Sequence, residues 1–270
     1  MEMDTLKQAC SYYNMTPWVG LLRAIEVKQF MKFRDLCVPP ILDLGCGDGF
    51  IAKLAFGCPL DVGIDNDYLA LQKAFCLGSY RVLINTDARH LPFKDGTFRT
   101  VYSNGAMEHM DDLNSVLSEI ARVLMPYGVL VTLVPSHKFM KPIGKVGKFL
   151  GPGVWDIYNR LHNHINLLSP QEWRSRMSAH GFVIQSIMAY GKAEIAEFVS
   201  NQDMFSKLHL VVSWPFFQFR HDGNLGRVIS RLNNASSQRL SGMFGREHEN
   251  DSEYEGYWLF IIAFRNSGSA

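Results

Sequence analysis

Asp43, Asp65 and Asp87 each close a short apolar run, and the first of them leads directly into Gly45-Cys46-Gly47-Asp48-Gly49. Three acids at three consecutive strand ends, with a glycine turn after the first, suit a site that holds a polar ligand at one edge of a sheet. The three glycines leave no side chains where the backbone must bend and approach a ligand closely, and Phe50 to Phe56 reads as the helix behind the turn. Taken alone, the loop reads equally as a tight strand-to-helix turn. Asp65 follows Gly45 by about 20 residues, the separation at which a carboxylate in a βαβ unit meets ribose hydroxyls. Asp87, in Thr86-Asp87-Ala88, is placed to accept a hydrogen bond from an adenine amino group. Asn104 to His109 follow the fourth strand at the same edge, and His109, whose imidazole titrates near neutrality, is the first candidate for a general base. Capping or packing ahead of a helix is its competing role.

The elements that must position these residues are read from hydrophobic period and turn chemistry. Strands at 41–44, 60–65, 81–86, 98–103 and 128–134 alternate with helices at 49–56, 67–77 and 112–124. That alternation predicts a parallel sheet with helices on both faces. Asp111 or Asp112 can cap the third helix, and Pro126-Tyr127-Gly128 ends it. Ser169-Pro170-Gln171-Glu172 is a capping signal for a helix to about His180, closed by Gly181. Phe182 to Met188 and Tyr257 to Phe264 read as the last two strands. Upstream, Trp18, Leu21, Leu22, Ile25, Phe30 and Phe33 mark an amphipathic helix within Pro17 to Leu36.

Several ordered segments together resemble the class I S-adenosylmethionine-dependent methyltransferases, in the small-molecule, ubiquinone-biosynthesis-like (type 11) branch. They are Ile41 to Gly49, Val62 to Asp65, Asp87 to Phe93, Phe98 to His109 and Glu119 to Leu130, with a weaker echo at Leu168 to Trp173, Gly181-Phe182 and the last strand. The resemblance implies an α/β fold, a doubly wound, seven-stranded, mostly parallel sheet with an antiparallel final strand. It places Asp43 and the glycine loop around the methionine part of the cofactor, Asp65 on the ribose and Asp87-Ala88 at the adenine. The cofactor set it implies is Asp43, Gly45, Cys46, Gly47, Gly49, Asp65, Asn66, Asp87, Ala88, Ser103 and Asn104. A dehydrogenase is the competing use of such a loop, but its fingerprint needs a third glycine where Phe50 stands, and no second βαβαβ half follows. The fourth strand also departs from the family, with Arg99-Thr100 after Phe98 where an acid is usual; that position is structural, so cofactor binding stands.

At 270 residues and 47% hydrophobic, the chain can bury a sizeable core and reads as one domain with additions. The organisation expected is an N-terminal helical cap at 1–38, a cofactor core at 39–134, and lid or substrate insertions at 135–168 and 190–256, with 221–252 the most mobile part. A net charge of +1 gives no reason to expect nucleic acid as partner. Five cysteines without a C-x-x-C pair argue against a disulfide framework or zinc ribbon and fit a reducing cytosol. The expected location is cytoplasmic, with membrane contact restricted to the surface. Cys46 sits where a thiol pKa can fall, yet a small side chain filling a tight turn is the plainer reading.

In the first insertion, His162-Asn163-His164 lacks a neighbouring carboxylate or cysteine and makes a weak metal-ligand set, so no metal is expected. His164 is the alternative catalytic base or a hydroxyl orienter, with loop hydrogen bonding as its ordinary role. From His137 to Leu150, Lys138, Lys141, Lys145 and Lys148 interleave with Phe139, Met140, Ile143, Val146 and Phe149. This mix suits contact with anionic lipid at 137–150 or a lid over a hydrophobic acceptor, and equally a solvated lysine face; Pro142, Gly144 and Gly147 weaken any regular helix there. The aromatics Phe139, Trp155, Tyr158, Trp214, Phe216 and Phe217 are the expected walls of an acceptor pocket. Together these features predict methyl transfer from S-adenosylmethionine to a small-molecule, lipid- or glycan-linked acceptor, at oxygen. A cofactor-binding protein without turnover, or transfer to nitrogen or carbon, is the alternative.

Overall fold

The computed structural model describes residues 2–13, 16–140, 144–213 and 256–267. Its chain divides into two compact units, one of residues 27–141, 159–190 and 251–270 and one of residues 1–26, 142–158 and 191–250.

The larger unit holds a seven-stranded sheet of β1 (Ile41–Leu44), β2 (Leu60–Asp65), β3 (Tyr80–Asn85), β4 (Phe98–Asn104), β5 (Leu124–Pro135), β6 (Phe182–Tyr190) and β7 (Trp258–Arg265), in the order β3-β2-β1-β4-β5-β7-β6. The pairs among β1 to β5 are parallel, and β7 runs antiparallel to both β5 and β6. This is the doubly wound sheet with one reversed final strand. Because the order turns back between β1 and β4, the loops after those two strands open beside each other, the place where α/β sheets bind ligands.

Helices α3 (Phe50–Phe56), α4 (Tyr68–Leu77), α5 (Leu113–Val123) and α7 (Pro170–Ala179) start where side chains satisfy their first backbone donors or a glycine turns the chain. Asp67 accepts from Leu69 and Ala70 at the head of α4, and Asp112, not Asp111, accepts from Ser115 at the head of α5. Ser169 and Glu172 form the full capping box of α7. On α5, Leu113, Val116, Leu117, Ile120 and Val123 are all buried, so one stripe joins the core while the other face meets water.

Strand β5 begins at Leu124, four residues ahead of the expected start. Pro126-Tyr127-Gly128 does not separate helix from strand: Leu124 already pairs with Phe98, and the register shifts between Phe98 and Thr100, with Tyr127 at φ 62°. The turn residues make an irregularity within the strand.

The smaller unit is described as helices α1 (Glu2–Tyr12), most of α2 (Pro17–Met31), most of α6 (Gly144–Leu161) and α8 (Ala193–Ser213). Gly20 lets α2 come close to α1, since a Cβ there would stand 2.7 Å from the Cys10 Cα. Helix α6 begins at Gly144 and runs through Gly147, which were expected to weaken it, and also through Pro152. Each such residue costs about 1 to 3 kcal/mol in a helix interior. Apolar residues at 146, 149, 150, 154, 157, 158 and 161 nevertheless keep a helical period, and that pattern prevails over local propensity. The expected mobility of 221–252 and the aromatics Trp214, Phe216 and Phe217 lie outside the described residues.

Candidate active site

The glycine loop is fastened to β2 before any ligand enters. The Gly45 and Cys46 amides donate to the Ile64 carbonyl at 3.0 and 2.9 Å, and the Gly47 amide donates to Asp65 Oδ2 at 2.8 Å. The other Asp65 oxygen accepts from the Asp67 amide at 2.9 Å. Each carboxylate oxygen keeps a second lone pair, so Asp65 can both fix the loop and accept from a ribose.

The three loop glycines do different work. All have positive φ, at 73°, 53° and 72° for Gly45, Gly47 and Gly49. A Cβ on Gly45 would overlap Ala106 Cβ, and one on Gly49 would stand 2.8 Å from the Tyr80 ring and 2.9 Å from Ser79. Gly47 alone of the three faces open space, with nothing within 4 Å of an added Cβ. Gly45 and Gly49 are therefore required by the protein's own packing. Gly47 leaves open space.

Asp43 lies behind the loop rather than at its mouth. It is buried, and Tyr80 Oη donates to its Oδ2 at 2.6 Å. Burial pushes its carboxyl up to about 7; the Tyr80 hydrogen bond pulls the other way, and the charge of Asp65 adds to the rise. Burial, with the neighbouring Asp43 and Asp65, also pushes the Cys46 thiol up, which keeps it protonated and unreactive. Ser103 is buried and donates to the Leu44 carbonyl at 2.9 Å, tying β4 to β1. Asn66 is exposed directly after Asp65, and Asn104 ends β4 half-buried.

Asp87 opens the loop after β3, half-exposed, with both oxygens held by the Arg89 guanidinium at 2.6 to 3.0 Å. These hydrogen bonds hold its carboxyl down at about 2. Ala88 packs at the margin of the core. The loop is pinned to α5 by Arg122, which donates to the Leu91 and Phe93 carbonyls and to Asp95 and Glu119, while Glu119 accepts from the Leu91 amide at 2.7 Å. Glu119 and Arg122 thus fix the stretch that follows the Asp87-Ala88 pair.

The two catalytic candidates meet. His109 lies in a single 3-10 turn, Met107–His109, on the loop whose Ala106 abuts Gly45. Its ring stacks on His164 with centroids 5.4 Å apart and planes at 22°, and His164 stacks in turn on His162 at 5.2 Å. The Asn163 carbonyl lies 3.0 Å from His109 Nδ1; a carbonyl only accepts, so this nitrogen carries the proton and a neutral ring keeps its lone pair on Nε2. Glu108 Oε1 stands 3.6 Å from Nε2. His164 Nδ1 is 3.4 Å from Asn159 Oδ1.

Residues 163–166 act as a strap across this turn. The Ile165 and Asn166 amides donate to the Glu108 carbonyl at 2.8 and 3.0 Å, and buried Asn166 Nδ2 donates to the Met107 and Met110 carbonyls at 3.0 and 2.8 Å. Asn163 adopts φ 51°, a left-handed conformation that asparagine tolerates, to swing its carbonyl onto His109. Among the described residues no three His, Cys, Asp or Glu gather as a metal site. Sequence reading missed Tyr80, Arg89 and Asn166. An aromatic opening a strand and an asparagine in a loop carry no local signal for such roles, though Arg89, two residues from Asp87, was open to pairing.

A family model described as a methyltransferase domain matches residues 42–132. A Legionella pneumophila malonyl-[acyl-carrier protein] O-methyltransferase is 32% identical over 124 residues, 42% of this chain and 44% of that protein. The uncharacterized methyltransferase YodH of Bacillus subtilis is 30% identical over 155 residues, 53% of this chain and 59% of that one. The chain thus spans about half the length of these relatives. A solved S-adenosylmethionine-dependent methyltransferase from Thermotoga maritima shares the fold, with a TM-score of 0.54 and 15% identity over 89% of each chain. The open position at Gly47, the glycine turn and the Asp65 carboxylate fit the nucleoside cofactor of this family. Over residues 42–132 the chain is thus similar to the methyltransferase domain of the class I, type 11 branch, a family that uses S-adenosylmethionine.

Proposed function

We propose that this protein transfers a methyl group from S-adenosylmethionine to the hydroxyl of a small-molecule acceptor, with His109 as general base. The observation that carries the reading is the juxtaposition of two parts: the loop with open space at Gly47, and the adjoining turn that presents His109. The cofactor, when bound, supplies an electrophilic methyl group. Gly45 to Gly49, Asp65 and the Asp87-Ala88 pair would hold it, with Asp65 accepting from the ribose. The Asn163 carbonyl selects the His109 tautomer whose Nε2 takes a proton, and His164 stacks behind the ring to keep its plane fixed. Positioning of this kind is most of what an in-line displacement asks of a protein. The O-methyltransferase name of the Legionella relative supports oxygen as the acceptor atom.

A hydrophobic, lipid- or glycan-linked acceptor is supported by α6, where Lys148 is exposed and Phe149 beside it is 89% exposed. A basic and an aromatic side chain together in water suit the surface of an anionic membrane. Among the described residues no helix is long and apolar enough to cross one. The deciding experiment is release of S-adenosylhomocysteine by the purified full chain across an acceptor panel of phenols, carboxylic acids, amines and lipid-linked hydroxyls. Turnover confined to hydroxyl acceptors is expected. Tight cofactor binding with no release from any acceptor would leave a binding protein instead. Vesicles with anionic lipid should retain the protein at low salt and release it at high salt; no retention at low salt removes the membrane contact.

A further inference from the structure

The geometry points to Tyr80 as the positioning residue of the cofactor loop, a residue that sets both the shape of the loop and the charge behind it. This inference rests on the reading of Gly45 to Gly49 as the S-adenosylmethionine cradle. Tyr80 opens β3, two strands away from Asp43 in the sheet, yet its side chain crosses β2 to reach it. The crossing is possible because β2 carries Gly63 at that point: a Cβ there would stand 2.8 Å from the ring. The opposite ring edge lies against Gly49, where an added Cβ would again be 2.8 Å away. The ring therefore occupies the space that Gly63 and Gly49 leave, and the hydroxyl ends on Asp43. Gly49, which local sequence assigns to the turn, and Gly63, inside the second strand, both admit a tyrosine.

The charge follows from the same contact. The groups acting on Asp43 are Tyr80 from β3 and Asp65 from β2; the Cys46 thiol on the loop stays protonated beside it, and Tyr102 is its register partner on β4. The Tyr80 hydroxyl is the one group named that favours the ionised carboxylate, against burial and Asp65. An ionised Asp43 favours a cationic sulfonium ligand on the loop, and a protonated one does not.

The test is calorimetric titration of the full chain with S-adenosylmethionine from pH 5.5 to 9, for wild type, Tyr80→Phe and Asp43→Asn, with folding checked by circular dichroism. Wild-type affinity should rise through a midpoint near the Asp43 value of about 7. Tyr80→Phe keeps the ring but loses the hydroxyl, so the midpoint should move upward by about 1 pH unit or more, with at least about fivefold weaker binding at pH 7. Asp43→Asn should bind weakly with no midpoint, and it carries the test if Tyr80→Phe does not fold. A Tyr80→Phe profile with an unmoved midpoint, whether binding is weaker or not, overturns the proposal. So does an Asp43→Asn profile that keeps the wild-type midpoint. Carboxyl carbon NMR of Asp43 without cofactor separates the two layers: an upward shift in Tyr80→Phe upholds the tie even if wild type binds no S-adenosylmethionine, and an unchanged shift rejects it.

Discussion

The two halves of the site are built in contrasting ways. The glycine loop follows its strand without interruption and is held by residues of the neighbouring strands, so the ends of β1, β2 and β3 assemble it. The histidine turn is held by a strap lying 54 residues further along the chain, and its stack and tautomer both depend on that strap. A site made of consecutive strand ends follows from any correct sheet. A site made by a strap can be lost while the sheet persists. The histidine turn is thus expected to be separable from the glycine loop.

The largest effect expected from this contrast is on turnover. His109→Ala should lower it by about 10²–10⁴-fold while cofactor affinity stays near wild type. Rates measured at saturating cofactor, with titration of the same samples, check both parts; normal turnover in the variant would remove the base. On the other side, Asp65→Ala should weaken S-adenosylmethionine binding by roughly one to two decades, through lost charge-assisted hydrogen bonds to the ribose and a loosened Gly47 amide. Equal affinity in variant and wild type would show that the loop does not hold this nucleoside.

How far each half could be read in advance follows the same division. Strand ends, a cap at Asp111 or Asp112, the Ser169 cap and the stripe on α5 were legible because period, cap and turn are properties of neighbouring residues. His109 and His164 could be named as candidates from residue type, but their stacking could not, because it is set by Asn163 and Asn166 reaching back to residues 107–110. Helix α6 was missed because Pro142, Gly144 and Gly147 are strong local signals, and Tyr80 because its partner lies 37 residues away. What escaped is what tertiary contact decides.

The strap can be tested directly. Asn166→Leu leaves the Met107 and Met110 carbonyls without their buried donor, a loss of about 1–3 kcal/mol that falls on the turn rather than on the sheet. Faster hydrogen exchange confined to 105–110 and 162–168, with about tenfold lower turnover and unchanged cofactor affinity, is the expected outcome. A uniform loss of protection across the sheet would show that the two halves unfold as one and would end the claim that they are separable.

The smallest effect concerns the cost of the carboxylate behind the cofactor loop. An isolated Asp in an unfolded chain ionises near 3.8, whereas buried Asp43 holds its proton up to about 7. The folded protein therefore binds this proton more tightly than the unfolded chain, and from this group stability is greatest below pH 4, falls as pH rises towards 7 and is level above it. Asp43→Asn keeps an acceptor for the Tyr80 hydroxyl and cannot ionise. It should match wild type near pH 4 and exceed it at pH 8 by about 1–3 kcal/mol, read as a higher Tm without cofactor. The same variant binds the cofactor less well, so the wild-type carboxylate would trade stability for ligand affinity, as functional sites commonly do. Equal Tm values at pH 8 would mean that the Tyr80 hydrogen bond fully offsets the burial of the charge.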